Sequence, residues 1–115
     1  MASCSNLSIN KGEGKVFVDS IVTVAGAPQD ITGWGLAFYL FAPEDPGTQF
    51  LIKDNGTNSG VTILVPSTAG QLQIAFAPAD TNDLAIGAYS FSVWRTDSGV
   101  PLKLTYGFMT VGSPA

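Results

Sequence analysis

Hydrophobic and polar positions alternate along this chain at a period of two, in short runs punctuated by Gly, Pro, Asn and Asp. The clearest run is Gln71–Phe76, where Leu72, Ile74 and Phe76 fall on one side and Gln71, Gln73 and Ala75 on the other. That is the pattern of a strand with one face buried. The same reading predicts strands over Lys15–Val24, Trp34–Ala42, Gln49–Lys53, Val61–Val65, Ala88–Arg95 and Leu102–Val111, with a short first strand at Ser5–Asn10. The clusters AGAPQD, PEDPG, DNGTNSG, PSTAG, APADTNDLAIG and TDSGVP read as the turns between them. Pro78–Leu84 carries Pro, Asp and Asn where a helix starts and predicts one short helical turn. About seven or eight short strands with no helical period predict an all-β antiparallel sandwich. Residues 1–14 are expected as an N-terminal arm with a possible short strand and 15–115 as the sandwich domain.

The run WGLAFYLFA, Trp34–Ala42, contains no charge. Trp34, Leu36, Phe38 and Leu40 share one face and can fill the core; Gly35, Ala37, Tyr39 and Phe41 share the other. The excess of large side chains recurs near the end. With Gly107, Met109 and Val111 inward, Leu104, Tyr106 and Phe108 point outward; with Tyr89, Phe91 and Val93 inward, Ser90, Ser92 and Trp94 point outward. In an immunoglobulin-like sandwich these three strands share one sheet. Tyr39, Phe41, Trp94, Leu104, Tyr106 and Phe108 are therefore expected on one surface, larger than the apolar patch of an ordinary monomer. Aromatic residues are enriched at protein interfaces, so this surface is expected to be an assembly contact. A one-residue slip in the last strand would instead send Leu104, Tyr106 and Phe108 into the core and expose Met109 and Val111. An N-terminal arm or long loop folded over the patch is the other alternative.

Composition narrows the function classes. The 115 residues suffice for one core. Only 12% are charged, against about 25% in an average soluble domain, and 45% are hydrophobic. No apolar run approaches the roughly 20 residues of a membrane helix, so the excess is expected inside the fold or against partners, and no membrane partner is expected. The net charge is -4 and the five Lys/Arg are scattered, which argues against nucleic acid. There is no histidine, so Ser/His/Asp and Cys/His arrangements cannot be built within the chain. The single Cys4 cannot form an internal disulfide and reads as a tolerated thiol. The first residues lack the charged and apolar regions of a signal peptide. Glu44, Asp45, Asp54, Asn55, Asp80 and Asp83 sit in turn clusters, where such side chains bond their own backbone. None has calcium-loop spacing, and nothing points to a paired-carboxylate glycosidase. No enzyme activity, metal, cofactor or small-molecule substrate is expected. The competing reading is a carbohydrate-binding adhesion module, with Trp94 as platform beside Ser92, Arg95 and Thr96; Trp34, at the start of an apolar strand, reads as core or rim.

LAIGAY, Leu84–Tyr89, is similar to the tyrosine corner of Greek-key sandwiches, in which a buried Tyr sends its hydroxyl back to nearby backbone. Tyr89 and Gly87 are accordingly expected to be structural, the glycine supplying a backbone conformation that other residues disfavour.

The order of landmarks also resembles a family. GAPQDITGW, Gly26–Trp34, is similar to the G-x-P-x-D-L-T-G turn of an immunoglobulin-like domain of tailed bacteriophages, the N-terminal domain of the phage baseplate upper protein family. SGVTILVPSTAGQLQIAFAPADTNDLAIGAYSFSVWRTDSG resembles that family's succession of strand, glycine turn, alternating strand, P-x-D-T turn, L-x-x-G-x-Y and hairpin. YGFMTV looks like its closing G-x-F-x-V strand, with Met109 in the usual Phe place. The likeness spans Lys11–Val111. It implies a virion structural protein of immunoglobulin-like fold without catalytic residues, made in the bacterial host cytoplasm, whose partners are other virion proteins and copies of itself. In the family this domain begins a longer chain, whereas this sequence ends at Ala115. Capsid decoration is therefore expected slightly ahead of tail or baseplate attachment.

Overall fold

A computed structural model describes residues 3–23, 25–42, 45–56, 59–82, 84–97 and 102–113, with the backbone alone for 3–5, 42 and 45–50. Eight strands are described: β1 (Ser3–Asn10), β2 (Lys15–Ser20), β3 (Leu36–Ala42), β4 (Asp45–Asp54), β5 (Val61–Ile63), β6 (Gln71–Phe76), β7 (Gly87–Arg95) and β8 (Leu102–Gly112). A five-residue helix, α1 (Pro78–Asn82), lies where a helical turn was expected. The strands form two sheets, β1-β8-β7-β3-β4 and β2-β6-β5. The fold is an all-β sandwich.

The core lies between the sheets and follows from the period-two pattern. Leu72, Ile74 and Phe76 of β6 are buried against Leu36, Phe38 and Leu40 of β3, Phe91 and Val93 of β7, and Met109 and Val111 of β8. Phe38 joins the layers. Its ring meets Phe76 edge-on at 5.4 Å and stacks on Phe91 at 5.5 Å, both favourable geometries for aromatic pairs. Trp34 packs at the rim of this core, as expected, with the Arg95 guanidinium 4.1 Å from its ring centroid.

Three sequence expectations are corrected. The sandwich is not wholly antiparallel, because β1 pairs in parallel with β8, from Ser3 with Thr105 to Asn10 with Gly112. β1 itself lies where a short first strand was expected, and begins two residues earlier, at Ser3. Second, PEDPG does not separate β3 from a short strand at Gln49: β4 begins at Asp45, which pairs with Ala42. β4 is a sheet edge, where a proline such as Pro46 is tolerated, and register shifts on β3 at Phe41 absorb the mismatch. Third, Leu104 points into the core and is 2% exposed. Val93 pairs with Thr105 and Trp94 with Lys103, so a bulge places Leu104 between the two pairs. Such a bulge puts two residues opposite one and breaks strict alternation. Leu104 and Thr105 are both buried, and Thr105 Oγ1 donates to Asp19 Oδ2 on β2 of the opposite sheet.

Candidate functional site

From Thr105 onward β8 alternates without interruption. Gly107, Met109 and Val111 are buried, while Tyr106 is 45% and Phe108 56% exposed. The slipped register weighed above, with Met109 and Val111 outside, is not the one adopted. On β3, Tyr39 and Phe41 are half-buried on the outer face, and on β7 Trp94 is half-buried. Five of the six residues expected on one surface thus lie on the outside of the five-stranded sheet; Leu104 does not.

The cross-strand register orders these side chains into rows. Phe41 pairs with Ser90, and Ser90 with Phe108; Tyr39 pairs with Ser92, and Ser92 with Tyr106. Each row is ring, serine, ring. Neighbouring strands are about 4.8 Å apart, so the rings of β3 and β8 flank β7 as two parallel ridges with serines on the floor between them. The ridge on β3 is continuous, with Tyr39 and Phe41 centroids 6.2 Å apart. At one end the Trp94 indole rises from β7 and donates through Nε1 to Ser92 Oγ at 2.9 Å. The result is a trough of about 430 Å³ lined by Phe41, Ser90, Ser92, Trp94, Tyr106 and Phe108. Lys103 stands at its rim, Nζ 5.4 Å from the Trp94 centroid and 5.8 Å from that of Tyr106, within cation–π range.

Two contributors were not anticipated. Ile52 of β4 pairs with Tyr39 and is 40% exposed, extending the apolar surface past β3. Its alternation with Leu51 and Lys53 was the available signal, masked by reading QFLIK as a short strand without an assigned face. Lys103 was overlooked because the bulge that sets its position has no sequence mark. The outer face of the smaller sheet makes a useful contrast: Val16 and Val18 are exposed there, but beside Gln73 and Thr62, without rings.

Tyr89 is buried, and its hydroxyl donates to the Ala85 carbonyl at 2.6 Å. Gly87 has φ +151°, a region L side chains rarely adopt. Asp54, Asn55 and Asp80 serve turns, loops and an ion pair. Asp54 Oδ1 accepts the Gly56 N–H two residues on and the Ser59 N–H. The Asn55 side chain accepts from Leu36 N–H and donates to the Trp34 carbonyl. Asp80 accepts the Ala77 N–H and pairs with Lys53 at 2.8 Å. Glu44 and Asp83 lie outside the described residues, as do the side chains of Cys4 and Asp45. Among the described residues, no three His, Cys, Asp or Glu side chains gather as metal ligands, and no helix is long and apolar enough to cross a membrane.

No protein-family model matches the sequence, and no curated protein matches it. Among solved structures, the fold is similar to the N-terminal domain of phage TP901-1 ORF48, with a TM-score of 0.60 and 14% identity. The match covers 98% of this chain and 100% of that one.

Proposed function

We propose that this protein is a non-enzymatic structural component of a tailed-phage particle, held at the tail or baseplate, or on the capsid, through the outer face of its five-stranded sheet. The observation that carries the reading is the pair of ring–serine–ring rows with Tyr106 and Phe108 about half exposed. Aromatic rings left in water on one face are removed from it by a partner, at a gain of about 25 cal/mol per Å² of apolar surface buried. The likeness to a phage domain supports the setting. The strand order β1-β8-β7-β3-β4 against β2-β6-β5 supports an immunoglobulin-like reading, in which the added fifth strand lies beside β3. The partners are other virion proteins and copies of this chain. Nucleic acid is a poor partner for a chain of net charge -4 with scattered cations, because such binding neutralises phosphates with clustered Lys and Arg.

The test is the double variant Tyr106→Lys/Phe108→Asp, introduced into the phage. Both side chains point outward, so the isolated variant keeps its melting profile. It is expected to be missing from purified particles. Incorporation at the wild-type level would contradict the proposal.

One observation favours a second reading, a carbohydrate-binding module: the trough joins ring walls to the half-buried Ser90 and a lysine at its rim. Binding on a broad glycan panel that disappears in Trp94→Ala would support it. A blank panel would remove it.

A further inference from the structure

We propose that Asn55–Gly56 is a covalent modification site, a deamidation that the folded turn withholds and that opening of the turn releases. Asn followed by Gly occurs once in the sequence, just past the end of β4. The chemistry needs no partner but water. The Gly56 amide nitrogen, once its proton has passed to solvent, bonds to Asn55 Cγ. The Cγ–Nδ2 bond breaks, and Nδ2 takes up a proton and leaves as ammonia. Water then opens the resulting succinimide ring. Attack at Cγ leaves aspartate; attack at the main-chain carbonyl carbon leaves isoaspartate, in which the chain runs through Cβ and Cγ. Glycine favours ring closure because it has no side chain to hinder close approach of its backbone. Both residues are exposed, so water reaches them.

The fold holds both reacting groups elsewhere. The ladder between β3 and β4 ends where Ala37 pairs with Asp54, and Asn55 extends it by one level with its side chain. Its N–H donates to the Leu36 carbonyl at 3.2 Å, while Oδ1, standing in for a main-chain carbonyl, accepts the Leu36 N–H at 3.0 Å. Nδ2 donates to the Trp34 carbonyl at 2.8 Å. The nucleophile is tied down as well. The Gly56 N–H donates to Asp54 Oδ1 at 2.9 Å, and the same oxygen accepts the Ser59 N–H at 3.2 Å. Ring closure requires the amide to swing off Leu36 and Trp34 and the Gly56 N–H to leave Asp54. Such local opening has a free-energy cost that is absent from the unfolded chain.

Once formed, neither product fits back. In aspartate an oxygen replaces Nδ2 and meets the Trp34 carbonyl, acceptor against acceptor. Isoaspartate adds a methylene to the main chain and displaces the acceptor of the Leu36 N–H, on a residue that is fully buried. A buried donor left unpaired is destabilising. The change is therefore one-way and loosens the entry to β3.

The test incubates the full chain folded in mildly alkaline buffer and, in parallel, unfolded in guanidinium chloride, and follows the Asn55–Gly56 peptide by mass spectrometry with an isoaspartate assay. The unfolded chain is expected to yield aspartate and isoaspartate at Asn55, and the folded chain to convert at least about tenfold more slowly. Asp54→Ala, which frees the Gly56 N–H, should raise the folded-state rate several-fold, and Asp54→Asn, which keeps an acceptor oxygen, should restore slow conversion. Asn55→Asp, made directly, should melt below the wild type. Equal rates in the folded and unfolded chain, an unfolded chain that does not convert at Asn55, a folded Asp54→Ala that converts no faster than wild type, or an Asn55→Asp variant with the wild-type melting profile would each overturn the proposal. Should Asp54→Ala not fold, the wild-type comparison and Asn55→Asp still decide it.

Discussion

Phe41 and Phe108 stand on either side of Ser90, each one strand away from it, and both rings point away from the core. A domain that needs only its own interior gains nothing from this placement. The two rings and the serine between them tie the architecture of the larger sheet to the proposed contact, because β7 can present a floor only where its outward residues are small.

Leu104 and Phe108 sit on the same strand with opposite fates, and stability measurements should separate them. Leu104→Ala removes a buried side chain and is expected to cost about 2–5 kcal/mol. Phe108→Ala, on the exposed ridge, should change stability by about 0.5 kcal/mol or less. Urea denaturation of the two variants checks both values. Equal losses would mean that the ring is internal.

The Lys53–Asp80 pair ties β4 to α1. Lys53 is 9% exposed, its Nζ lies 5.6 Å from the Phe76 centroid, and its stem fills the space beside Gly60. Removing one member strands the other charge. Asp80→Ala and Lys53→Ala should each destabilise by about 1–3 kcal/mol. The double variant should lose less than the sum, since the two groups are in contact. Denaturation of the three variants as a double-mutant cycle reads the coupling.

Tyr89→Phe deletes the hydroxyl that reaches Ala85 and keeps the buried ring. The expected cost is about 1 kcal/mol, with the trough chemistry unchanged. Calorimetric melting of the variant measures it.

Two exposed carboxylates give the fold a weak acid sensitivity. The Asp30 carboxyl is held below its ordinary value of 3.8, first by the Thr32 hydroxyl and then by the Thr32 N–H. Asp97 is lowered mainly by its hydrogen bond from Arg95, 2.8 Å from Nε to Oδ1. A carboxyl with a lower pKa in the folded state contributes stability that is fully present above its unfolded value. That contribution is lost as pH falls through the folded value, so the window lies at and below about pH 4. Carboxyl carbon titration by NMR should place both midpoints under 3.8, and Thr32→Ala should move Asp30 back up without moving Asp97.

Much of this was legible from residue order because β3, β6 and the second half of β8 keep strict alternation. Leu36, Phe38 and Leu40 had to face one way, and Tyr39 and Phe41 then had to face the other. Leu104 broke the inference: a bulge adds one residue to one strand, and LKLTY is as consistent with regular alternation as with the bulge it contains. β4 was misjudged because Pro and Gly usually end a strand, whereas at a sheet edge the partnerless side tolerates them. The parallel pairing of β1 with β8 joins opposite ends of the chain, and no local pattern encodes it.

Hydroxyl-radical footprinting of the assembled particle against the isolated protein reads the central claim most directly, because Tyr39, Trp94, Tyr106 and Phe108 are themselves the reactive groups. The account predicts that Tyr106 and Phe108 label readily in the free domain and are protected several-fold in the particle, while exposed residues of the smaller sheet such as Val16 and Val18 label alike in both. Equal labelling of Tyr106 and Phe108 in the two states would contradict it.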